Sequence, residues 1–142
     1  MAFIAHQHNV GDVPIMYLPA SNNVIRAGTA LTLSGGRLVI AKDGTKPEYI
    51  SLYEGGASTV VPDGTIIPVE PVYPSTVYET QITGSLSTIA LGSVHNINYA
   101  GLSITTASET GCAKVVGYEG KTAGCKVRVV FIEPKAATTT SN

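Results

Sequence analysis

Residues 125–131 read Cys-Lys-Val-Arg-Val-Val-Phe and carry the clearest periodicity in the chain. Apolar side chains occupy every second position from Cys125 to Phe131, and Lys126 and Arg128 lie between them. Successive side chains of a strand point to opposite faces of a sheet, so this alternation predicts a strand with one face in a core and the other in water. No stretch of helix length holds the 3.6-residue period, and we therefore predict an all-β protein.

A β-hairpin is predicted earlier in the chain, over residues 30–41. Residues 30–33 (Ala-Leu-Thr-Leu) and 37–41 (Arg-Leu-Val-Ile-Ala) flank the turn Ser34-Gly35-Gly36, whose glycines supply the positive φ that tight turns require. Two more strands are predicted at 49–53 and 65–69, and Pro68 favours an edge position for the second because it lacks a backbone donor. Many short antiparallel strands indicate a small barrel or sandwich.

The two strand-rich parts, residues 24–71 and 91–134, resemble two copies of one unit. Four short matches occur in the same order, pairing residues 28–29 with 92–93, 36–40 with 101–104, 53–55 with 118–120 and 67–71 with 130–134. An internal repeat of this length indicates a duplicated structural unit. We therefore predict two similar four-stranded halves, either in one barrel or sandwich or as two mini-domains.

The rest of the chain divides around these halves. Residues 72–90 form a bridge inside a single β domain at 24–134, and residues 1–23 are predicted to form an extended N-terminal arm. The small polar residues 135–142 are predicted to be a disordered tail.

The composition argues against several kinds of partner. The chain has 142 residues, of which 44% are hydrophobic and only 13% charged, and its formal net charge is −1. A near-neutral chain exerts no strong attraction on nucleic acid or anionic lipid, and no stretch is apolar for the length of a bilayer span. Residues 1–8 lack the basic and apolar regions of a signal peptide. We expect protein partners, no nucleic acid, no membrane, and assembly in a cytoplasm.

The residue types that carry chemistry do not converge on an active site. His6 and His8 project from one side of an extended chain and could share a metal, but no further ligand lies nearby. His95 lies in a predicted strand, where a hydrogen-bonded or surface histidine is the simpler interpretation. Ser34-Gly35-Gly36 lacks the lysine and the helix of a phosphate-binding loop. We predict no catalytic residue, no cofactor and no metal, and hence a protein that is not an enzyme.

Cys112 and Cys125 admit two interpretations. Two cysteines can form a disulfide, but both lie in strand-like segments of a protein that we expect to be cytosolic. Their spacing matches neither a zinc knuckle nor a redox pair. Buried free thiols are the favoured interpretation.

The N-terminal arm is the most apolar segment outside the two halves. Phe3, Ile4, Val13, Ile15 and Tyr17 are predicted to be its contact residues. One interpretation is an arm that leaves the β domain and adds to the sheet edge of a neighbouring chain. The other is a frayed terminus followed by a first strand of the chain's own sheet.

Residues 25–39, which include the pattern Ala-Gly-Thr-x-Leu-x-Leu-x-Gly-Gly-x-Leu-Val, resemble the small head decoration (cement) proteins of tailed bacteriophages. Residues 127–131 resemble the closing strand of such proteins. The resemblance implies an accessory protein on the exterior of the virion head, often trimeric, whose N-terminal arms lie along the major capsid protein. It implies that many modest contacts, made by several subunits at once, stabilise the shell against rupture.

Two other functions remain open from the sequence. One is a different virion component, such as a tail-tube, neck or fibre-base protein. The other is a carbohydrate- or ligand-binding β module, whose stacking surfaces would have to be tyrosines because the chain has no Trp. The candidate tyrosines are Tyr49, Tyr53, Tyr73, Tyr78, Tyr99 and Tyr118.

Overall fold

The computed structural model describes residues 2–7, 14–83, 89–122 and 124–134, and within these ranges the chain forms strands and no helix. The all-β prediction is confirmed. The strands are β1 (Ile4–Gln7), β2 (Met16–Pro19), β3 (Asn23–Val24), β4 (Ala30–Ser34), β5 (Arg37–Ile40), β6 (Tyr49–Ser51), β7 (Val60–Val61), β8 (Ile66–Pro71), β9 (Val77–Gln81), β10 (Val94–Ile97), β11 (Ile104–Ala107), β12 (Ala113–Tyr118) and β13 (Lys126–Phe131).

The strands form two large antiparallel sheets. The N-half sheet has the order β2-β8-β6-β4-β5, and the C-half sheet has the order β1-β9-β13-β12-β10-β11, while β3 and β7 pair separately. An isolated parallel bridge joins Ala20, which follows β2, to Leu38 in β5, and a second one joins Ile82, which follows β9, to Ile104 in β11. Neither sheet closes into a barrel, so the architecture is that of a small β-sandwich rather than a closed barrel.

Apart from β1, the two large sheets have the same connectivity. Strands β2, β8, β6, β4 and β5 correspond in order to β9, β13, β12, β10 and β11. One backbone hydrogen bond occurs at equivalent places in the two halves: Gly28 N–H donates to Ser51 O at 2.7 Å, and Gly92 N–H donates to Val115 O at 2.8 Å. These glycines have φ of 86° and 85°, a conformation that glycine adopts without steric cost. Each half is built on one five-stranded plan.

The fifth strand of each half lies outside the boundaries drawn from the sequence. The four strands predicted in the first half overlap β4, β5, β6 and β8, whereas β2 comes from the residues assigned to the arm and β9 from those assigned to the bridge. The edge position predicted for the fourth strand is wrong: β8 lies between β2 and β6. It tolerates Pro68 because this residue lies just beyond the last β6 pair, Ser51 with Val69. Strands β1 and β3 also come from the arm segment. Where the structure describes this segment, β1, β2 and β3 belong to the sheets, and its apolar residues Phe3 and Ala20 are buried. Burial of apolar surface contributes about 25 cal/mol per Å².

Each half has its own hydrophobic core. The N-half core is formed by Ala20, Ile25, Leu31, Leu38, Val61, Ile67 and Val69. The C-half core is larger and includes Phe3, Tyr78, Ile97, Val129 and Phe131. Ala30 and Ile50 project from the other face of the N-half sheet into the C-half core. The N-half sheet therefore has a core on each face, and this shared packing holds the two halves together.

Candidate interaction surface

The outer side of β2 and β8 exposes large apolar side chains. Residues Leu18 and Ile67 face the N-half core, and Tyr17 and Ile66 point the opposite way because side chains alternate along a strand. Tyr17 is 67% exposed, Ile66 58%, and Ile15, immediately before β2, 57%. Single exposed apolar residues are ordinary on a protein surface, but neighbours on one face indicate a contact site.

This exposed region continues across the sheet towards the N-terminus. Pro68 lies opposite Tyr17, and the N–H of Leu52 donates to Pro68 O at 2.9 Å, which places Leu52 beside it. Leu52 and Ile4 both line a groove of about 430 Å³ between residues 2–5 and the N-half sheet. We refer to Ile4, Ile15, Tyr17, Leu52, Ile66 and Pro68 as the apolar face.

The apolar face contains three of the five residues predicted as contacts: Ile4, Ile15 and Tyr17. Phe3 is placed differently. It is buried in the C-half core, with its ring centroid 5.2 Å from that of Phe131 in an edge-on arrangement. Phe3 immediately precedes β1, and its side chain faces the core while that of Ile4, the next residue, faces solvent. Phe3 is thus a core residue of this chain rather than a free anchor, and Val13 lies outside the described residues.

Sequence reasoning missed the contribution of β6 and β8 to this face. The signal was present in residues 66–70, where Ile67 and Val69 alternate with Ile66, Pro68 and Glu70. Only the first pair is buried, and Ile66 projects outwards. The sequence alternation predicts two faces but does not say which of two apolar sets points inwards.

Charged side chains beside the apolar face are paired with one another. Glu79, opposite Ile4 in the β1–β9 pair, lies 3.3 Å from Arg128 Nε and 3.7 Å from Lys126 Nζ. Exposed ion pairs of this kind contribute about 0–1 kcal/mol to stability. Lys126 and Arg128 share this one carboxylate, so it compensates only one of the two positive charges at this edge of the apolar face.

A second surface feature is a pocket of about 620 Å³ at one end of the N-half sheet. Apolar and aromatic residues from three segments line it, among them Pro14, Met16, Tyr49, Pro71 and Tyr73. Pockets of this size are large enough to receive a side chain or a small ligand.

The charges of this pocket are held by defined contacts. Lys46 Nζ lies 2.8 Å from Glu133 Oε1. The carboxylate of Glu48 accepts hydrogen bonds from the Thr32 hydroxyl and from the Leu33 N–H, which lower the pKa of Glu48. Both carboxylates that line the pocket therefore have partners within this chain.

His95 is a hydrogen-bonded core residue. Its side chain is fully buried, with Nδ1 2.8 Å from Thr105 O and Nε2 2.9 Å from Ser93 Oγ. Its place in the C-half sheet corresponds to Leu31 in the N-half sheet, since His95 pairs with β12 as Leu31 pairs with β6. Both ring nitrogens are engaged by the chain itself, so the geometry points to a structural role.

The cysteines are free thiols. Cys112 is buried and donates to Thr45 O at 3.3 Å, whereas Cys125 is partly buried. Burial raises the pKa of the Cys112 thiol to about 12. Since the thiolate is the reactive form, Cys112 is poorly suited to nucleophilic chemistry.

The remaining candidates from the sequence fall at separate places. Ser34-Gly35-Gly36 is the β4–β5 hairpin turn, and its glycines have φ of 58° and 77°, as predicted. His6 lies in β1, and His8 lies outside the described residues. Among the residues that the structure describes, no group of three His, Cys, Asp or Glu side chains is placed to hold a metal ion.

The six candidate tyrosines do not share one platform. Tyr78 is buried in the C-half core, and Tyr53 packs against the N-half core. Tyr49 and Tyr73 line the 620 Å³ pocket, and Tyr99 lines a different one of about 470 Å³. Tyr118 is exposed at the end of β12. Burial, with a smaller contribution from the Glu70 carboxylate, raises the pKa of Tyr78.

In the described part of the chain, no helix has the length and apolar character needed to cross a membrane. Comparison with protein-family models, with curated proteins and with solved structures gave no match.

Proposed function

We propose that this chain is a capsid decoration protein, a non-enzymatic virion component that binds the outside of a phage head and stabilises the shell. The single observation that carries the proposal is the apolar face, where Ile15, Tyr17 and Ile66 are each more than half exposed. The resemblance of residues 25–39 to phage cement proteins supports it, and so do the low charge and the all-β fold. The proposed partner is the major capsid protein.

The apolar face suits a cement role in physical terms. Tyrosine provides a large, rigid contact area at low entropic cost and is enriched among residues that dominate interface energies. One face with a few such anchors gives modest affinity. A homo-oligomer, for which a trimer is the proposed state, binds several capsid subunits at once and multiplies the overall affinity by about 10²–10⁴.

The test is co-sedimentation with expanded heads from which the decoration protein has been stripped. Deletion of residues 2–20 is a poor perturbation, because it removes β1, β2 and the buried residues Phe3 and Ala20. Point substitutions on the apolar face test the contact without removing strands or core residues. The double variant Tyr17→Ala, Ile66→Asp should fold normally and lose at least about tenfold in affinity.

A matched control is Leu91→Asp, which places the same charge at another exposed apolar residue outside the apolar face. This control should bind like the unchanged protein, and binding should raise the temperature at which heads rupture. If the double variant binds as well as the control, the apolar face is not the capsid contact. If the unchanged protein does not bind heads, the decoration proposal fails.

The alternative virion roles have their own readout. A tail-tube, neck or fibre-base component assembles with itself, so sedimentation velocity and electron microscopy would reveal rings or tubes. A carbohydrate-binding module would give saturable glycan binding, which Tyr49→Ala in the 620 Å³ pocket should weaken.

A further inference from the structure

The two halves differ at one edge. In the C-half sheet, β1 pairs with the outer edge of β9, with Ile4 opposite Glu79. The counterpart of β9 in the N-half is β2, and among the described residues no strand pairs with the outer edge of Met16–Pro19; the isolated bridge from Ala20 to Leu38 lies just beyond its end. Glu79 lies opposite Arg128 in β13, and Tyr17 lies opposite Pro68 in β8. Tyr17 therefore occupies the position of Glu79, and nothing in the described chain occupies the position of Ile4.

The backbone of β2 is oriented to receive a further strand. Pro68 O accepts the Leu52 N–H at 2.9 Å, so the backbone of Pro68 faces β6 rather than β2. In an antiparallel pair, a residue whose N–H and C=O point away from the partner strand lies opposite a residue whose N–H and C=O also point away. Tyr17, opposite Pro68, thus directs both groups to the outer edge of the sheet. These are the groups that an added strand binds.

We call the equivalent places around Tyr78 in the C-half sheet and Met16 in the N-half sheet the corners of the two sheets. The side chains at these corners show which packing contacts an added strand would contribute. In the C-half, the corner holds three aromatic rings, with Phe131 5.2 Å from both Phe3 and Tyr78. In the N-half, Met16 stands in place of Tyr78, and Pro71 in place of Phe131. Tyr78 is 0% exposed, whereas Met16 is 36% exposed and lines the 620 Å³ pocket. Among the described residues, none makes at the N-half corner the contribution that Phe3 makes in the C-half.

We propose that the outer edge of β2 is an acceptor site for an extended strand of a partner protein, and that an aromatic side chain of this strand enters the pocket beside Met16. The strand should be largely apolar and free of Asp, Glu, Lys and Arg, as residues 2–7 (Ala-Phe-Ile-Ala-His-Gln) are at the equivalent edge. The chain's own residues 4–7 are not the occupant, because they are paired with β9. The site goes beyond the proposed function, since it accepts a strand whether or not the partner is a capsid protein.

The test uses the full chain and a capped peptide with the sequence of residues 2–7, Ala-Phe-Ile-Ala-His-Gln. Titration of labelled protein, followed by NMR, should give saturable shifts at the amides of residues 15–18. Replacing Phe by Ala in the peptide should weaken binding, because the pocket then stays open.

Backbone methylation of the peptide distinguishes binding as an added strand, which needs backbone hydrogen bonds, from non-specific apolar contact. The N–H of Phe3 donates to Gly28 O at 2.9 Å, so the backbone of Phe3 faces away from β9 and that of Ile4 faces towards it. An N-methyl group on the peptide's Ile should abolish binding. The same group on the following Ala, which faces away from the accepting strand, should not.

A protein variant tests the accepting side. Tyr17→Pro removes the outward N–H without touching the β2–β8 pairing, a placement that an edge strand tolerates. Tyr17→Ala keeps the N–H and is its control. Binding should be lost in Tyr17→Pro and retained in Tyr17→Ala. Absence of saturable shifts, shifts confined to β9 through exchange with the chain's own β1, or equal binding of both methylated peptides would each overturn the proposal.

Discussion

Phe3→Ala tests whether the N-terminal segment is part of the folded core. Phe3 is 1% exposed and packs edge-on against Phe131. Truncating a buried Phe to Ala costs about 3–5 kcal/mol, from lost transfer free energy and from the cavity left behind. At about 2–4 °C per kcal/mol for a chain of this size, the melting temperature should fall by roughly 10 °C.

The control lies on the same strand. Ile4 is 64% exposed, and its side chain is on the opposite side of β1 from Phe3. Ile4→Ala should change the free energy of unfolding by no more than about 0.5 kcal/mol, as is usual for surface substitutions. Because the two positions are adjacent, any general effect on the terminus is common to both variants.

The assay is equilibrium unfolding in urea, with midpoint and slope measured for the unchanged protein and both variants. A lower midpoint with unchanged slope for Phe3→Ala alone is the expected result. If both variants unfold at the midpoint of the unchanged protein, residues 2–7 do not contribute to the core and behave as a free arm. A large effect of Ile4→Ala would contradict the assignment of faces in β1.

Three further predictions use the same unfolding measurement. Gly28→Ala and Gly92→Ala both force a side chain into a left-handed conformation, and each should lower the free energy of unfolding by about 1–2 kcal/mol. Gly28→Ala should lower it more, because its added Cβ would lie 2.4 Å from the N-terminal segment, whereas the added Cβ at Gly92 meets open space. His95→Leu should lower the free energy of unfolding by about 1–3 kcal/mol, since the partly buried Thr105 carbonyl is left without the donor that His95 Nδ1 supplies. Burial raises the pKa of Cys112 from 9.0 to about 12 in the folded state. Between pH 9 and 12 the thiol therefore ionises in the unfolded chain but stays neutral in the folded one, so the free energy of unfolding should fall over this range. The fall should be less steep in Cys112→Ala.

The sequence was informative where a pattern is local. Period-2 alternation located β13, and the Gly-Gly turn located the β4–β5 hairpin, because both depend only on neighbouring residues. The matches at 28–29 and 92–93 pair residues that have the same φ and the same hydrogen bonds in both halves. A glycine that needs positive φ leaves a mark in the sequence, since other residues adopt that conformation only at a cost.

The sequence was less informative where tertiary pairing decides. It matched residues 67–71 to 130–134, because both end in Glu-Pro, whereas the structure places Ile67 and Val69 in the role of Val127 and Val129. In strands of six residues, alternating apolar positions allow several registers, and only pairing with neighbouring strands selects one. Whether residues 4–7 leave the domain or join a sheet depends on a distant partner, β9, that their own sequence does not reveal.

The difference between the halves is the strongest physical guide to function in this chain. Two copies of one five-stranded plan would be expected to meet solvent in the same way, yet one has its first strand covered by β1 and the other exposes Ile15, Tyr17 and Met16 at the same place. An exposed apolar edge promotes aggregation, and proteins usually protect such edges with charge, proline or a covering segment. Pro14 and Pro19 limit pairing at the two ends of this edge, and no strand of the described residues pairs with it between them. We propose that a partner strand covers both this edge and the pocket beside Met16, and binding of the methylated peptides tests that proposal.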